Sequence, residues 1–235
     1  MADPAFAAEA LMLEGRLTLT PIDALTELTW KAQDLAEKAD GRRVAIGIAG
    51  GPGTGKSTLA AQLVAALNVA NPGSAALVPM DGFHMKHAKL EGLGQTDFKG
   101  APHTFEAGAF VAFLQGLKAA TGPVSGPGYS RKIEDTVEDA FTVPAETQVL
   151  VVEGNYLLLD TGDWAQVRPL LDFSAFIVVP REMVRERLMK RHGEEGLFSE
   201  ERNRAHIERN DLPNYDLIMT TLGRADLVID LEVAQ

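Results

Sequence analysis

A glycine-rich stretch, residues 50–57, has the residue types and spacing that enclose phosphate groups. It fits the pattern G-x-x-x-x-G-K-[ST], in which glycines let successive backbone N–H groups face phosphate oxygens. Lys56 would reach the β- and γ-phosphates of a nucleoside triphosphate, and the Ser57 hydroxyl would ligate Mg²⁺. An apolar run before the stretch and a helical pattern after it argue against a chance glycine-rich turn. The predicted nucleotide-binding residues are Gly51, Gly53, Thr54, Gly55, Lys56, Ser57 and Thr58.

Two carboxylates follow apolar runs that predict strands. Asp81 comes at the end of residues 75–80, and Glu153 directly follows residues 148–152. Ligands of open parallel sheets bind beyond the carboxyl ends of the strands. We therefore expect Asp81 to accept a proton from an attacking hydroxyl, to help hold Mg²⁺, or both, and Glu153 to lie near the metal. The alternatives are a turn-capping Asp81 and a solvent-facing Glu153.

Basic residues concentrate between positions 181 and 209, although the chain carries a formal net charge of −11. The pattern predicts two helices there, the second with Ser199 as its N-cap. These charges could lie on solvated faces and pair with neighbouring glutamates. We expect instead a helical lid that neutralises a transferring phosphoryl group and excludes water when it closes. Arg187 and Arg191 are the leading candidates for contact with the phosphates.

Short apolar runs that alternate with longer helical periods predict a parallel α/β fold with a five-stranded sheet flanked by helices. The predicted strands cover residues 44–49, 75–80, 148–152, 175–179 and 227–231, and the predicted helices include 26–39 and 57–67. No role is assigned to residues 1–25.

Residues 82–145 interrupt this alternation with many glycines and prolines. A helix is predicted over 105–119, and a small hairpin between positions 129 and 143. The region is either a long surface insertion or an acceptor-binding region between the second and third strands. Long loops in compact domains are more often functional than idle, which favours the second interpretation.

Length and composition fit a single α/β domain. The 235 residues are 46% hydrophobic and 23% charged, and none is cysteine, which excludes disulfides and thiolate metal sites. The acidic charge disfavours general nucleic-acid binding. The chain shows neither a signal-peptide pattern nor an apolar run long enough for a membrane helix. We therefore expect a cytoplasmic protein with no nucleic-acid or membrane partner.

The ordered set of motifs resembles the P-loop kinases of the uridine kinase, phosphoribulokinase and bacterial pantothenate kinase group. Within it, the chain looks most like a bacterial branch described as nucleoside/nucleotide kinase-like or as a fructose transport system kinase. The matching segments, which span most of the chain, are residues 50–58, 80–84, 99–105, 129–131, 152–158 and 210–214.

This resemblance implies the three-layer sandwich of P-loop NTPases and, as in many members, a homodimer. It divides one kinase domain, 1–235, into an N-terminal extension (1–25), an acceptor-binding insertion (82–145) and a lid region (181–212). It also implies that Asp81 is the base and a metal partner, and that Glu153 completes the Mg²⁺ site with Ser57. The substrate residues it implies are His84, Lys99, His103, Tyr129 and Arg131, although pantothenate kinases carry His where Arg131 stands.

The activity implied is transfer of the γ-phosphoryl group of Mg·ATP to a hydroxyl of a small metabolite. A sugar such as fructose, a nucleoside and a pantothenate-like acceptor all stay open. A nucleotide-switch or motor ATPase is disfavoured because the motifs Asn-Lys-x-Asp and Leu-Ser-Gly-Gly-Gln are absent. A non-catalytic ATP-binding regulator is disfavoured because Lys56, Ser57, Asp81 and Glu153 are all retained.

Overall fold

A parallel sheet of six strands forms the middle layer of the protein, in a computed structural model that describes residues 16–196 and 199–231. Its strands are β1 (Arg16–Leu19), β2 (Val44–Gly50), β3 (Ala75–Pro79), β6 (Val149–Gly154), β7 (Phe173–Val178) and β8 (Leu227–Leu231). The order across the sheet is β1-β8-β7-β2-β6-β3, and every pairing is parallel. The remaining strands, β4 (Val124–Ser130) and β5 (Asp135–Val143), form a separate antiparallel hairpin.

The prediction of five strands in the sheet was short by one, because β1 adds a sixth at the edge. It pairs in parallel with β8, and the Arg16 side chain also pairs with the Asp230 carboxylate. Only four residues long, with Leu17 as its buried side chain, β1 has too short an apolar pattern to stand out in the sequence. Its pairing partner lies more than two hundred residues away, so the strand depends on tertiary contacts.

Helices cover both faces of the sheet. In the described part of the chain they are α1 (Pro21–Lys38), α2 (Lys56–Ala70), α3 (His87–Leu93), α4 (Ala107–Ala119), α5 (Arg181–Glu195), α6 (Glu200–His206) and α7 (Leu212–Met219). The first begins at Pro21 rather than residue 26, because the Thr20 side chain caps it by accepting from the Asp23 N–H at 3.1 Å. Ser199 caps α6 as predicted, with the Arg202 N–H at 3.3 Å. None of these helices has the length and apolar character of a membrane span.

Two buried clusters, one on each face of the sheet, give the protein its three layers. On one face Leu28 of α1 and Leu63 of α2 pack with Ile46 and Ile48 of β2. On the other, Phe110 and the rest of the α4 apolar face pack against alternate residues of β6 and β7. Strands buried on both faces must be apolar throughout, which is why their runs are visible in the sequence. The sheet places β6 between β2 and β3, so the carboxyl ends of these three strands are neighbours.

The predicted insertion consists of α3, short 3₁₀ turns, α4 and the β4–β5 hairpin. The hairpin packs so closely on the turn after β3 that a Cβ atom at Gly82 would lie 1.9 Å from the Pro127 carbonyl oxygen. At its base, the buried Arg43 guanidinium donates to the carbonyls of Leu117 and Pro144, at 3.0 and 2.8 Å. These contacts fix the insertion to the carboxyl end of β3 and to the amino end of β2.

The predicted lid region contains α5, α6, a π-helical turn (Ile207–Asp211) and α7. Its own buried cluster includes Val184, Leu188 and Tyr215. The Tyr215 hydroxyl donates to the Val179 carbonyl at 2.9 Å, and a Cβ at Gly51 would lie 2.5 Å from the Tyr215 ring. This predicted lid region therefore packs directly on the glycine-rich segment.

Candidate active site

The glycine-rich loop, residues 50–57, joins β2 to α2 at the carboxyl edge of the sheet. Gly53 and Gly55 have backbone φ angles of 73° and 90°, a region that other residues adopt only with strain. The buried Thr54 hydroxyl donates to the Gly51 carbonyl at 2.9 Å and closes the turn from inside. Because α2 begins at Lys56, its free N–H groups and positive dipole end lie at this loop, an arrangement that binds phosphate.

A cavity of about 970 Å³ opens beside the loop. Its walls come from the glycine-rich loop, the ends of β3 and β6, the insertion and the lid. This volume lies at the upper end of the range for small-molecule sites, so it has room for a nucleotide and a second ligand. The predicted site residues that line it are Gly53, Gly55, Lys56, Ser57, Thr58, Asp81, His84, Lys99, Tyr129, Arg131, Arg187 and Arg191.

Three predicted residues lie just behind the cavity wall. Gly51 lies against Tyr215, and Thr54 is buried within the loop. Glu153 is buried at the end of β6, where its Oε2 accepts a hydrogen bond from the Ser57 hydroxyl at 2.9 Å. These residues contribute through the loop backbone and through Ser57, which do reach the cavity.

Ser57, Glu153 and Asp81 offer a set of oxygen donors that fits Mg²⁺. Burial raises the pKa of the Glu153 carboxyl, as does the charge of Asp81, while the Lys56 ammonium lowers it. A divalent cation would stabilise this buried carboxylate in its charged form. In the described residues no cluster of three or more His, Asp and Glu side chains is placed to hold a metal. That fits Mg²⁺, which takes one or two carboxylates and completes its coordination with water and phosphate oxygens.

His84 is held in one orientation and one tautomer. Its Nδ1 lies 2.9 Å from the Asp81 carbonyl oxygen, which can only accept, so Nδ1 carries the hydrogen. The ring lies between Phe105 and Tyr129, with centroid distances of 3.9 and 4.7 Å. Burial lowers the pKa of His84, which favours the neutral ring and leaves Nε2 as an acceptor.

Phe105, His84 and Tyr129 form a row of adjacent rings, and Lys99 lies next to Tyr129 at one end of it. Its ammonium donates to the Glu134 carbonyl and lies 5.3 Å from the centre of the Tyr129 ring. Burial lowers the pKa of Lys99 and raises that of Tyr129. The Asn210 amide donates to the Lys99 carbonyl at 2.6 Å, which ties the π-helical turn of the lid to the insertion.

The structure does not bring His103 into the cavity, contrary to the expectation that it contacts substrate. Its side chain is exposed, and its Nε2 lies 3.0 Å from the Gln95 Oε1 atom. The 3₁₀ turn Pro102–Thr104 directs Thr104 inward instead, where its hydroxyl accepts from the Gly100 N–H at 3.0 Å.

The lid arginines differ in their contacts. Arg187 donates to the Gly53 carbonyl at 3.3 Å, so it lies directly on the glycine-rich loop. Arg191 lines the cavity one turn further along α5. Arg181 and Arg185 instead pair with Asp216 and Glu208, at 2.9 and 2.7 Å.

Several cavity residues were not predicted as site residues. Asn155 follows β6 and carries a buried Oδ1 with no hydrogen-bond partner among the residues that the structure describes. His192 of α5 lies 3.2 Å from the Asp211 carboxylate, and both line the cavity with Asn214. A signal existed for Asp211 and Asn214, since they belong to the segment 210–214 that matched the kinase group. Asn155 likewise belongs to the matching segment 152–158, whereas His192 carries no spacing pattern that distinguishes it.

Comparisons with known proteins agree with this geometry. A profile of the phosphoribulokinase / uridine kinase family matches residues 45–233. A Schizosaccharomyces pombe protein named as a candidate uridine kinase is 34% identical over 195 residues, which cover 80% of this chain and 83% of that protein. The uncharacterized protein YggC of Escherichia coli is 35% identical over 192 residues, covering 81% of this chain and 78% of YggC.

Among solved structures, a candidate fructose transport system kinase from Silicibacter sp. TM1040 matches with a TM-score of 0.76 and 34% identity. The match covers 86% of this chain and 98% of that one. The family that the ordered motifs indicated is thus confirmed. The chain belongs to the phosphoribulokinase / uridine kinase family of P-loop kinases.

Proposed function

We propose that this protein transfers the γ-phosphoryl group of Mg·ATP to a hydroxyl group of a small metabolite. The observation that carries the proposal is a single cavity lined by the phosphate-binding loop, by Asp81 and by side chains of the insertion. A nucleotide hydrolase needs space only for a water molecule beside the phosphates. The cavity has in addition a wall of insertion side chains, which supports an organic acceptor as the second ligand.

The nucleotide is bound by the loop backbone and by Lys56, which lies at the β- and γ-phosphates in this proposal. Ser57, Glu153 and Asp81 would hold Mg²⁺, which supplies positive charge against the phosphate oxygens when bound. The hydrogen bond from Ser57 to Glu153 keeps the hydroxyl oxygen oriented beside the carboxylate. Preorganised donors of this kind cost little reorganisation when the reaction occurs.

Asp81 has the position of a general base at the end of β3. The acceptor oxygen forms a bond to the γ-phosphorus as the bond from that phosphorus to the β,γ-bridging oxygen breaks. ADP keeps the electron pair of the broken bond, and the Asp81 carboxylate takes the proton of the acceptor hydroxyl. Arg187 and Arg191 would neutralise the charge that spreads over the transferring group.

The acceptor wall consists of His84, Lys99, Tyr129 and Arg131 in this proposal. All four line the cavity, on segments that lie within or border the insertion. Names of the relatives suggest a nucleoside or a sugar such as fructose, and the resemblance adds a pantothenate-like compound.

The test measures ADP release from Mg·ATP across sugars, nucleosides, pantothenate and glycerate, with a control that lacks acceptor. Stimulation by one acceptor class, with phosphorylated product found by mass spectrometry, is the expected result. Full-speed ADP release without acceptor would identify an ATPase. Nucleotide binding without ADP release under every condition would identify a regulator on the same fold.

A further inference from the structure

The acceptor side of the cavity combines a neutral aromatic wall with lysine and arginine side chains. Phe105, His84 and Tyr129 follow one another as adjacent rings along that wall. The Nδ1 of His84 is directed at the Asp81 carbonyl oxygen at 2.9 Å, away from the neighbouring rings, and burial raises the pKa of the Tyr129 hydroxyl. Charge recognition on this side therefore depends on the residues at the ends of the wall.

Lys99 differs from most lysines of the insertion in having no carboxylate partner. Lys86, Lys89 and Lys118 form ion pairs with N–O distances of 2.9, 2.6 and 2.6 Å. Within residues 16–196 and 199–231, Lys99 forms no such pair, and its ammonium contacts a backbone carbonyl and an aromatic face. A partly buried ammonium with one hydrogen bond keeps donors available for an anion.

Lys56 provides a useful comparison. It is the other lysine along the described cavity wall, and it likewise forms no ion pair in the described residues. Its position at the glycine-rich loop assigns it to the phosphates of the nucleotide. By the same reasoning, the second lysine without a carboxylate partner marks the position of a second anionic group.

Arg131 adds positive charge to the same wall. It lines the cavity two residues after Tyr129, in the turn between β4 and β5. Glu134 is the opposing carboxylate on this wall. The Asp135 carboxylate also acts on Lys99, although it does not line the cavity and accepts from the Thr136 N–H at 2.8 Å.

The other carboxylates that the insertion contributes to the cavity wall have partners. Glu91 lies 3.4 Å from His87, and Asp97 lies 3.6 Å from Arg209. Neither of them pairs with Lys99.

Hydrogen bonds also hold the backbone at Lys99 in place. Its carbonyl accepts from Asn210, and the carbonyl of the next residue, Gly100, accepts from the Tyr156 hydroxyl at 2.6 Å. A fixed backbone reduces the entropy lost when the side chain binds a ligand.

We propose that the phosphate acceptor is itself an anion, whose carboxylate or phosphate group binds Lys99 and Arg131 while its hydroxyl faces Asp81. This inference rests on the proposed kinase function and narrows it to hydroxy acids and sugar or polyol phosphates. The aromatic wall packs against the carbon chain that joins the two groups.

The experiment compares acceptors in matched pairs: glycerol with D-glycerate, panthenol with pantothenate, ribose with ribose 5-phosphate, and fructose with fructose 6-phosphate. The first two pairs test a carboxylate and the last two a phosphate. Calorimetry measures binding of each compound to the protein loaded with Mg²⁺ and a non-hydrolysable ATP analogue, and ADP release with ATP is measured in parallel. The variants are Lys99→Met and, as a matched control, Lys86→Met, which removes an exposed lysine outside the cavity.

The expected result is that the charged member of at least one pair binds about tenfold or more tightly than its neutral partner. Lys99→Met should remove that preference, and Lys86→Met should keep it. Equal binding within every pair, including no measurable binding of any charged member, overturns the proposal, as does a preference that survives Lys99→Met.

The measurement of ADP release distinguishes a failure of the anionic-acceptor proposal from a failure of the proposed kinase function. Release stimulated by neutral members alone keeps the kinase and overturns the anionic acceptor. Binding of a charged member through Lys99, without any ADP release, keeps the anion site and contradicts the proposed phosphoryl transfer.

Discussion

The nucleotide side and the acceptor side of the cavity are built in different ways. The nucleotide side comes mainly from one continuous stretch, residues 50–58, at a junction between a strand and a helix. The acceptor side is assembled from His84 in the turn after β3, Lys99 in a loop, and Tyr129 and Arg131 at the tip of the β4–β5 hairpin. In the proposed function, phosphate binding would therefore depend on local backbone geometry, and acceptor binding on how separate segments pack.

The two sides also differ in how they handle charge. The nucleotide side buries the Glu153 carboxylate next to Ser57 and near Lys56, which prepares it for a cation. The acceptor side has a neutral aromatic wall with cations at its ends. With the proposed function, this contrast predicts that ATP binding survives changes on the acceptor side, and the four predictions below probe the two sides.

The largest effect is expected from Lys56→Ala. The β- and γ-phosphates would lose their main cation, so kcat/KM should fall by about 10³-fold, the upper range for one electrostatic contact. Steady-state ADP release with a saturating acceptor measures it. The control is Lys38→Ala, which removes only an exposed pair with Asp34 on α1. A variant that keeps a tenth of the activity would contradict the site assignment.

Asp81→Asn should mainly lower turnover. Loss of the base should reduce kcat by about 10²- to 10³-fold, while the Kd for ATP changes little, since the proposed role lies in the transition state. Single-turnover kinetics and nucleotide binding give the two quantities. Equal losses in both would indicate that Asp81 serves the metal rather than the proton.

Gly82→Ala should separate the two sides of the cavity. The added Cβ would meet the Pro127 carbonyl at 1.9 Å and displace the hairpin that carries Tyr129 and Arg131. We expect the acceptor KM to rise by about tenfold and the stability to fall by about 1–3 kcal/mol, with a much smaller change in the KM for ATP.

Gly92→Ala is the matched control, since a Cβ there meets nothing within 4 Å. It lies within α3 and should leave both KM values unchanged. If Gly82→Ala raised both KM values equally, the two sides would not be independent.

The smallest effect is a gain in stability from Glu153→Gln. Burial raises the pKa of this carboxyl, so the folded protein binds its proton more tightly than the unfolded chain does. The free energy of unfolding therefore falls as pH rises from the pKa that Glu153 has in the unfolded chain to its raised pKa in the folded protein. Glutamine avoids this loss and can still accept from Ser57. We expect a gain of about 1 kcal/mol at neutral pH without nucleotide, together with loss of turnover.

Thermal unfolding across pH checks this prediction. The difference between Glu153→Gln and the parent protein should shrink toward acid pH, where the parent carboxyl is protonated. Glu37→Gln, an exposed position on α1, is the control and should show no such trend. A variant less stable than the parent at neutral pH would mean that the carboxylate stabilises the fold even without a metal.

Most of the sheet could be predicted from the sequence, and the reason is burial. Strands β2 and β6 are covered on both faces, so all their residues except Glu153 at the end of β6 are apolar or small, and the runs were easy to recognise. Strand β1 could not be predicted in this way. Its four residues alternate between apolar and polar, and only pairing with β8 makes them a strand.

Within the site, the predicted residues of the continuous stretch 50–58 lie at or just behind the cavity wall, whereas a turn keeps the predicted residue His103 out of the cavity. His103 and Thr104 are adjacent, and the residue types favoured the histidine as a substrate contact. The 3₁₀ turn places Thr104 in the interior and His103 at the surface. His192 was missed for the converse reason, since only the packing of α5 beside the carboxyl edge of the sheet brings it to the cavity.

By itself the sequence determined the phosphate-binding loop, the family and most of the strand order along the chain, because glycine spacing and buried apolar runs act over a few residues. Only the tertiary structure decided that β6 lies between β2 and β3, which brings Glu153 to Ser57 and Asp81 to the same edge. It also decided that Lys99 lies over Tyr129 without a carboxylate partner in the described residues. Such contacts depend on the packing of segments distant in sequence, and no local pattern encodes them.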